Sequence, residues 1–255
     1  MIFLFVVITI FLAMAGGFAL FLIKRDGGER EPIGALWMAF AFGVIGIVIA
    51  GFLEKFLLPD PGHTHLPTIS LAIVCLGIGG IEELAKFLLL ALWLYPKRYF
   101  NEHTDGVIYF ALAGLGFGLP ENILYTLQEG PKTGLARIIL TPLFHAATTA
   151  IIGFALARMK VSHFPRSYVV KAICAAIFLH GLYDFGLFFG NNLFTLISIM
   201  VTAALSINIF VLFLRAKHLD EQQGLSVVGH NSFCRACGHP NLKHNLYCAH
   251  CGNRA

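Results

Sequence analysis

The stretch IGGIEELAKFLLLALWLY, residues 78–95, places Glu82, Glu83 and Lys86 inside a long apolar run. A membrane-spanning helix needs about 20 mostly apolar residues, and this run belongs to a segment of that length. A charged side chain at the bilayer centre costs about 2.5–3.5 kcal/mol even on the most lenient scale. Three charges in one such segment therefore predict a helix that turns them toward other helices and away from lipid.

The composition places most of the chain in a membrane. Hydrophobic residues make up 57% of the 255 residues and charged residues 13%, and the mean hydropathy is +0.76. These values lie outside the range of soluble domains. The chain is therefore predicted to be an all-α membrane protein with about seven transmembrane helices. The predicted spans are 1–23, 33–53, 68–94, 105–127, 138–157, 169–189 and 193–214.

The basic residues between these spans are unevenly divided. Eleven lie on the side of the first loop and the C-terminus: Lys24, Arg25, Arg30, Lys97, Arg98, Arg158, Lys160, Arg166, Lys171, Arg215 and Lys217. Three lie on the other side: Lys55, Lys132 and Arg137. Because cytoplasmic loops carry the excess of lysine and arginine, we predict a multi-pass protein of the cell membrane with its N-terminus outside and its C-terminus in the cytoplasm. The net charge of +4 then reflects orientation, and no nucleic-acid partner is expected.

The last part of the chain has a different character. The transmembrane bundle is predicted over residues 1–214, a polar linker over 215–231 and a zinc-binding module over 232–255. Two Cys-x-x-Cys pairs in that module suit one tetrahedral structural Zn²⁺, and thiols stay reduced in the cytoplasm. The predicted zinc ligands are Cys234, Cys237, Cys248 and Cys251. The module resembles the small zinc ribbons at the ends of many bacterial and archaeal proteins, which implies a protein partner or a structural role.

Ionisable residues are absent from the interiors of spans 1, 2 and 7 and concentrated in spans 3 to 6. Together they would cost about 10 kcal/mol or more if they faced lipid, so they must face one another or water. The sequence predicts that they form a single cluster. Its members are Glu82, Glu83, Lys86, Glu121, His145, His180 and Asp184.

Helical spacing suggests partners within the cluster. Glu82 and Lys86 are four residues apart with the acid first, which favours an ion pair, while Glu83 points about 100° away and is free for another task. Asp184 follows His180 by four residues and is expected to orient its imidazole. The excess of carboxylates requires that one of them holds a proton or that a histidine is charged, which would provide a general acid and a general base.

The depth of these residues, between the bilayer middle and its outer half, suits hydrolysis within the membrane. The sequence lacks the His-Glu-x-x-His, Gly-x-Ser-Gly and Gly-x-Gly-Asp patterns of three other plans for an intramembrane protease. A proton-coupled transporter and a non-catalytic scaffold that binds membrane partners remain alternatives. In a further variant, the carboxylates and histidines bind a catalytic metal ion.

Four motifs on successive spans resemble the PrsW family of glutamic intramembrane endopeptidases. They are Glu82-Glu83-x-x-Lys86, DGVIYFALAGLGFGLPENILY at 105–125, LFHAATTAIIG at 143–153 and LHGLYDF at 179–185. The resemblance covers about residues 70–190. The chain is more distantly similar to the CAAX prenyl endopeptidases.

The resemblance implies peptide hydrolysis in membrane-anchored proteins, with anti-sigma factors as the usual substrate class. Glu82 or Glu83 would activate the attacking water, and His180 would stabilise the oxyanion or protonate the leaving amine. It further implies that Lys86 tethers the glutamate pair, that Asp184 orients His180, and that Glu121 and His145 line the site. The favoured expectation is that catalysis requires no metal and that the only zinc is structural.

Overall fold

The computed structural model describes residues 2–27, 31–62, 66–225, 232–233 and 240–241. This part of the chain forms seven α-helices and two short strands. The helices are α1 (Ile2–Arg25), α2 (Ile33–Leu57), α3 (Thr68–Trp93), α4 (His103–Glu129), α5 (Pro131–Val161), α6 (Arg166–Phe188) and α7 (Asn192–Gln222). The strands β1 (Ser232–Phe233) and β2 (Pro240–Asn241) pair antiparallel. The predicted zinc ligands Cys234, Cys237, Cys248 and Cys251 lie outside the described residues.

Six of these helices are long and apolar enough to cross a membrane, namely α1, α2, α4, α5, α6 and α7. The prediction of a multi-pass membrane protein is thereby confirmed. Large apolar side chains such as Ile33, Val48 and Ile207 are exposed on the outer helices, as lipid contact requires. The helix that carries the charged stretch, α3, is not among the six. It is 26 residues long and packs against α6 and α2. That α3 crosses the membrane stays a prediction.

Proline residues mark where several helices begin. Pro32, Pro67 and Pro165 directly precede α2, α3 and α6, and Pro131 is the first residue of α5. Proline suits a helix start because its missing N–H would have no intrahelical partner there. Gly130, with a φ of 89°, makes the sharp turn between α4 and α5. The turn joins α4 and α5, which are consecutive in the chain and contact each other more extensively than any other pair of described helices.

Helix α4 lies at the centre of the bundle and packs closely on α5. A Cβ added at Gly106 would lie 2.2 Å from the carbonyl oxygen of Gly153, and one added at Gly114 would lie 2.3 Å from that of His145. Small residues let helix backbones approach in this way inside membranes. The close approach fixes the height of His145 relative to the side chains of α4.

The end of α7 holds the start of α4. Asp220 Oδ1 accepts the backbone N–H of His103 at 2.7 Å and lies 2.6 Å from Nδ1 of the same residue, while Oδ2 accepts the N–H of Thr104 at 2.9 Å. The other ring nitrogen of His103 lies 2.7 Å from Ser162 Oγ. These contacts bury Asp220 and extend α7 eight residues beyond the boundary predicted at Leu214.

Candidate active site

The carboxylate of Glu83 lies at the centre of the buried cluster. Its Oε1 accepts hydrogen bonds from Lys86 Nζ at 2.7 Å and Thr148 Oγ1 at 2.9 Å, and it lies 2.9 Å from His180 Nδ1. Its Oε2 accepts one from Thr149 Oγ1 at 3.2 Å. Glu83 is fully buried, and its two oxygens together have partners on three helices, α3, α5 and α6. Its geometry suits a group that positions others.

The predicted pairing of Lys86 with Glu82 requires correction. Lys86 Nζ lies 2.7 Å from Glu83 Oε1 but 3.8 Å from Glu82 Oε2. A helix makes neighbours at both three and four residues, so spacing alone does not choose between the two acids. The fully buried ammonium also lies 4.2 Å from the centre of the Phe117 ring, on α4. Lys86 therefore neutralises mainly Glu83, and Glu83 is not free as expected.

Each of the two histidines is held by a carboxylate through one ring nitrogen. His180 Nδ1 lies 2.9 Å from Glu83 Oε1, and His145 Nε2 lies 2.6 Å from Glu121 Oε2. Asp184 was expected to orient His180, but its Oδ2 lies 3.7 Å from Nε2, beyond hydrogen-bonding distance. Glu83 provides that contact instead. The carboxylates fix both rings. The second nitrogen of His180, Nε2, is on the side of Glu82, and that of His145, Nδ1, lies between Glu82 and Lys86 Nζ, which is 3.4 Å away.

Glu82 Oε2 is buried and has no hydrogen-bond partner. It lies 3.4 Å from His180 Nε2 and 4.0 Å from His145 Nδ1, and one ligand atom from each of the three residues lies within 4.8 Å of the other two. Ligands at about 2.0–2.2 Å from a tetrahedral Zn²⁺ are about 3.3–3.6 Å apart. One carboxylate and two imidazoles also form a common donor set for hydrolytic zinc. These residues therefore fit a divalent metal ion.

A cavity of about 560 Å³ leads to these groups from one end of the bundle. Its lining includes Glu82, Glu121 and Asp184 and extends to residues 58–62 of the loop after α2, the end that we call its mouth. Asp184 Oδ2 is another buried oxygen without a hydrogen-bond partner. A second cavity of about 450 Å³ also borders Asp184. The carboxylates of Glu82 and Asp184 thus combine burial with access to a space that can hold water and a peptide.

Two site residues were missed at the sequence level. Arg137, counted as a loop charge, donates Nη2 to Glu121 Oε1 at 2.5 Å and Nε to Asn122 Oδ1 at 3.0 Å. Glu54, assigned to a connector, lies in the last turns of α2 and lines the cavity. Both residues adjoin an apolar run, and this adjacency was the signal that could have identified them.

Buried carboxylates, imidazoles and an ammonium group are costly inside a membrane and mark chemistry or transport. A cavity lined by Glu82 and Asp184, each with one oxygen that has no hydrogen-bond partner, favours chemistry that uses water. The fold and the site thus define a multi-pass membrane hydrolase. A family model described as PrsW family intramembrane metalloprotease matches residues 31–214. The chain belongs to this family of membrane proteases, and the resemblance to the PrsW family is confirmed.

Relatives named Protease PrsW agree with the family match. The protein of Geobacillus kaustophilus is 33% identical over 161 residues, which cover 63% of this chain and 70% of the relative. That of Bacillus subtilis is 30% identical over 176 residues, covering 68% and 79%. That of Clostridioides difficile is 28% identical over 172 residues, covering 64% and 71%. No solved structure matches the chain.

The family description bears on the question of a metal. The favoured expectation was catalysis without a metal, with a catalytic metal ion as an alternative. The description as metalloproteases and the mutual approach of Glu82, His145 and His180 both favour the alternative.

Proposed function

We propose that the protein hydrolyses peptide bonds of membrane-anchored proteins at a metal site formed by Glu82, His145 and His180. The observation that carries this proposal is the orientation of the two imidazoles. Each has one ring nitrogen held by a buried carboxylate. The other nitrogen lies 3.4 Å from the unpartnered Glu82 Oε2 in His180 and 4.0 Å from it in His145, where it is also 3.4 Å from Lys86 Nζ. That arrangement is the one that metal-binding histidines adopt in hydrolytic sites.

Glu82, His145 and His180 would hold the ion, which when bound would acidify a water molecule and polarise the scissile carbonyl. Asp184 is the general base in this scheme, because it lines the cavity and its buried Oδ2 has no hydrogen-bond partner. It accepts the proton of the attacking water and returns it to the leaving amine. Asp184 lies close enough to the centre for this task, since its Oδ2 is 3.7 Å from His180 Nε2.

The remaining groups position these residues and balance their charge. Glu83 orients His180, and Glu121 orients His145. Lys86 neutralises Glu83, and Arg137 neutralises Glu121. Each histidine is therefore supported by an ion pair and not by a lone buried carboxylate, which would be expensive to desolvate.

The proposal includes an orientation and a substrate class. With the N-terminus outside, the cavity mouth beside residues 58–62 faces the outer side of the membrane. The scissile bond would then lie in the outer half of the substrate span or just beyond it. Membrane-anchored anti-sigma factors, the class suggested by the family resemblance, are the first substrates to test.

The test combines metal content with cleavage of a reconstituted single-span anti-sigma factor. The four tail cysteines are replaced by serine in the full chain, so that zinc bound at the tail cannot contribute. The variants are Glu82→Gln, His180→Ala and Asp184→Asn, and Glu221→Gln is the matched control because Glu221 is exposed at the far end of α7. The replaced cysteines are Cys234, Cys237, Cys248 and Cys251.

We expect about one metal ion per chain in the parent protein and in Asp184→Asn, and loss of the ion in Glu82→Gln and His180→Ala. Cleavage should fall at least about 100-fold in all three variants and remain unchanged in the control. Cleavage that survives both a chelator and the loss of Glu82 would refute the assignment of the site. Cleavage by the metal-free parent protein would refute the role of the ion and would leave the assignment of the site residues standing.

A further inference from the structure

Glu54 belongs to a helix that was predicted to have no ionisable side chain in its membrane interior. It lies in the last turns of α2, and its Oε1 is buried without a hydrogen-bond partner. Its neighbour Lys55 is exposed and does not pair with it among the described residues. A half-buried carboxylate with an unused oxygen is costly to retain, so a ligand that supplies a partner would stabilise it.

The cavity that Glu54 borders is strongly acidic. Its lining has six carboxylates and a single ammonium group, that of Lys55. The carboxylates are Glu54, Asp60, Glu82, Glu121, Glu129 and Asp184. Arg137 neutralises Glu121 from behind, and a metal ion would offset the charge near Glu82. Negative charge then remains toward the mouth, where Glu54 lies.

Hydrogen bonding in the cavity is a second indication that a ligand enters it. Asp184 is nine-tenths buried, its Oδ2 has no hydrogen-bond partner, and it lines the same cavity as Glu54. The cavity volume of about 560 Å³ lies in the range of small-ligand sites, about 300–1,000 Å³. It can hold one long side chain together with the backbone on either side of it.

We propose that Glu54 is a specificity residue that binds a lysine or arginine side chain of the substrate near the cavity mouth. The proposal rests on the proposed function, because the bound segment is the one whose peptide bond is cleaved. A cation there gains a charge-assisted hydrogen bond from Glu54 and the field of the remaining carboxylates. A neutral side chain of the same length gains neither, and a carboxylate in that position is repelled.

The test uses three synthetic single-span peptides in neutral phosphatidylcholine nanodiscs. They differ at one position of the outer flank, which is lysine, norleucine or glutamate, and each carries a photoreactive leucine beside it. Cleavage rates are measured with the metal-loaded full chain, Glu54→Gln, Glu54→Lys and the control Glu221→Gln. Photocrosslinking yields are measured with the same variants in a His180→Ala background, where binding is observed without cleavage.

We expect lysine to be preferred over norleucine by about 5- to 10-fold in wild type and Glu221→Gln, in both cleavage and crosslinking. Glu54→Gln should reduce the preference to about 2-fold or less, and Glu54→Lys should abolish it. Metal content should not change in the Glu54 variants. Loss of metal in Glu54→Gln would overturn the proposal, because it would assign Glu54 to the ion site.

The two readouts separate this proposal from the protease proposal. Cleavage without charge preference, or a preference that Glu54→Gln retains, would overturn the role of Glu54 and leave the protease standing. A charge preference in crosslinking without cleavage of any peptide would uphold Glu54 and overturn hydrolysis.

Discussion

Replacement of Lys86 by methionine should separate stability from catalysis at the centre of the site. The ammonium of Lys86 lies 2.7 Å from Glu83 Oε1, and both side chains are fully buried. Removal of one partner from a buried ion pair costs about 3–5 kcal/mol, because the remaining charge is left uncompensated. A chain of this size loses about 2–4 °C of Tm per kcal/mol, so we expect Lys86→Met to lower Tm by about 6–20 °C.

The double variant Lys86→Met/Glu83→Gln removes the stranded charge and should recover most of that loss. The glutamine oxygen can accept a hydrogen bond from one of the hydroxyls of Thr148 and Thr149, and its NH₂ group can donate to the other. We therefore expect a coupling energy of about 2–3 kcal/mol between the two positions. Activity should not recover, because His180 has lost its carboxylate. Thermal unfolding in detergent, followed by tryptophan fluorescence, measures both the change in Tm and the coupling energy. The control is Lys24→Met, because Lys24 is exposed. A double variant no more stable than Lys86→Met would refute this interpretation of the pair.

Two further predictions concern the packing around α4. Asp220→Ala should lower the free energy of unfolding by about 1–3 kcal/mol, because it removes the acceptor of two backbone N–H groups and leaves Nδ1 of buried His103 without its partner; denaturation in detergent measures this, and an unchanged Tm would contradict it. Gly114→Ala should abolish activity, because its Cβ would meet the carbonyl oxygen of His145 at 2.3 Å. Gly16→Ala, which has open space around it, is the matched control in the same cleavage assay and should retain full activity.

The apolar runs and their charged members could be predicted because both depend on the cost of charge in a membrane. The ends of the helices could not be predicted in the same way. Hydropathy marks the part of a helix that contacts lipid, whereas α5 begins at Pro131 and α7 continues to Gln222 through polar residues. Those extensions form because Arg137 and Asp220 find partners on other helices.

Partners within the cluster were predicted less well than its membership. The spacing of Lys86 allows either Glu82 or Glu83, and the choice depends on which carboxylate receives the hydroxyls of Thr148 and Thr149 from α5. Glu83 also lies within hydrogen-bonding distance of His180. Asp184 therefore does not hold that histidine and lines the cavity instead. Spacing along one helix carries no information on such contacts between helices.

The hydrogen bonds that Asp220 accepts from the start of α4 determine how early in synthesis the fold can be completed. The start of α4, the helix that carries Glu121, donates two of its backbone N–H groups to Asp220, which follows His103 by 117 positions in the chain. Those bonds form only after the ribosome has synthesised α7. The site therefore reaches its final form late in biogenesis, when all seven helices are present. A chain that stops short of Asp220 lacks these hydrogen bonds at the start of α4.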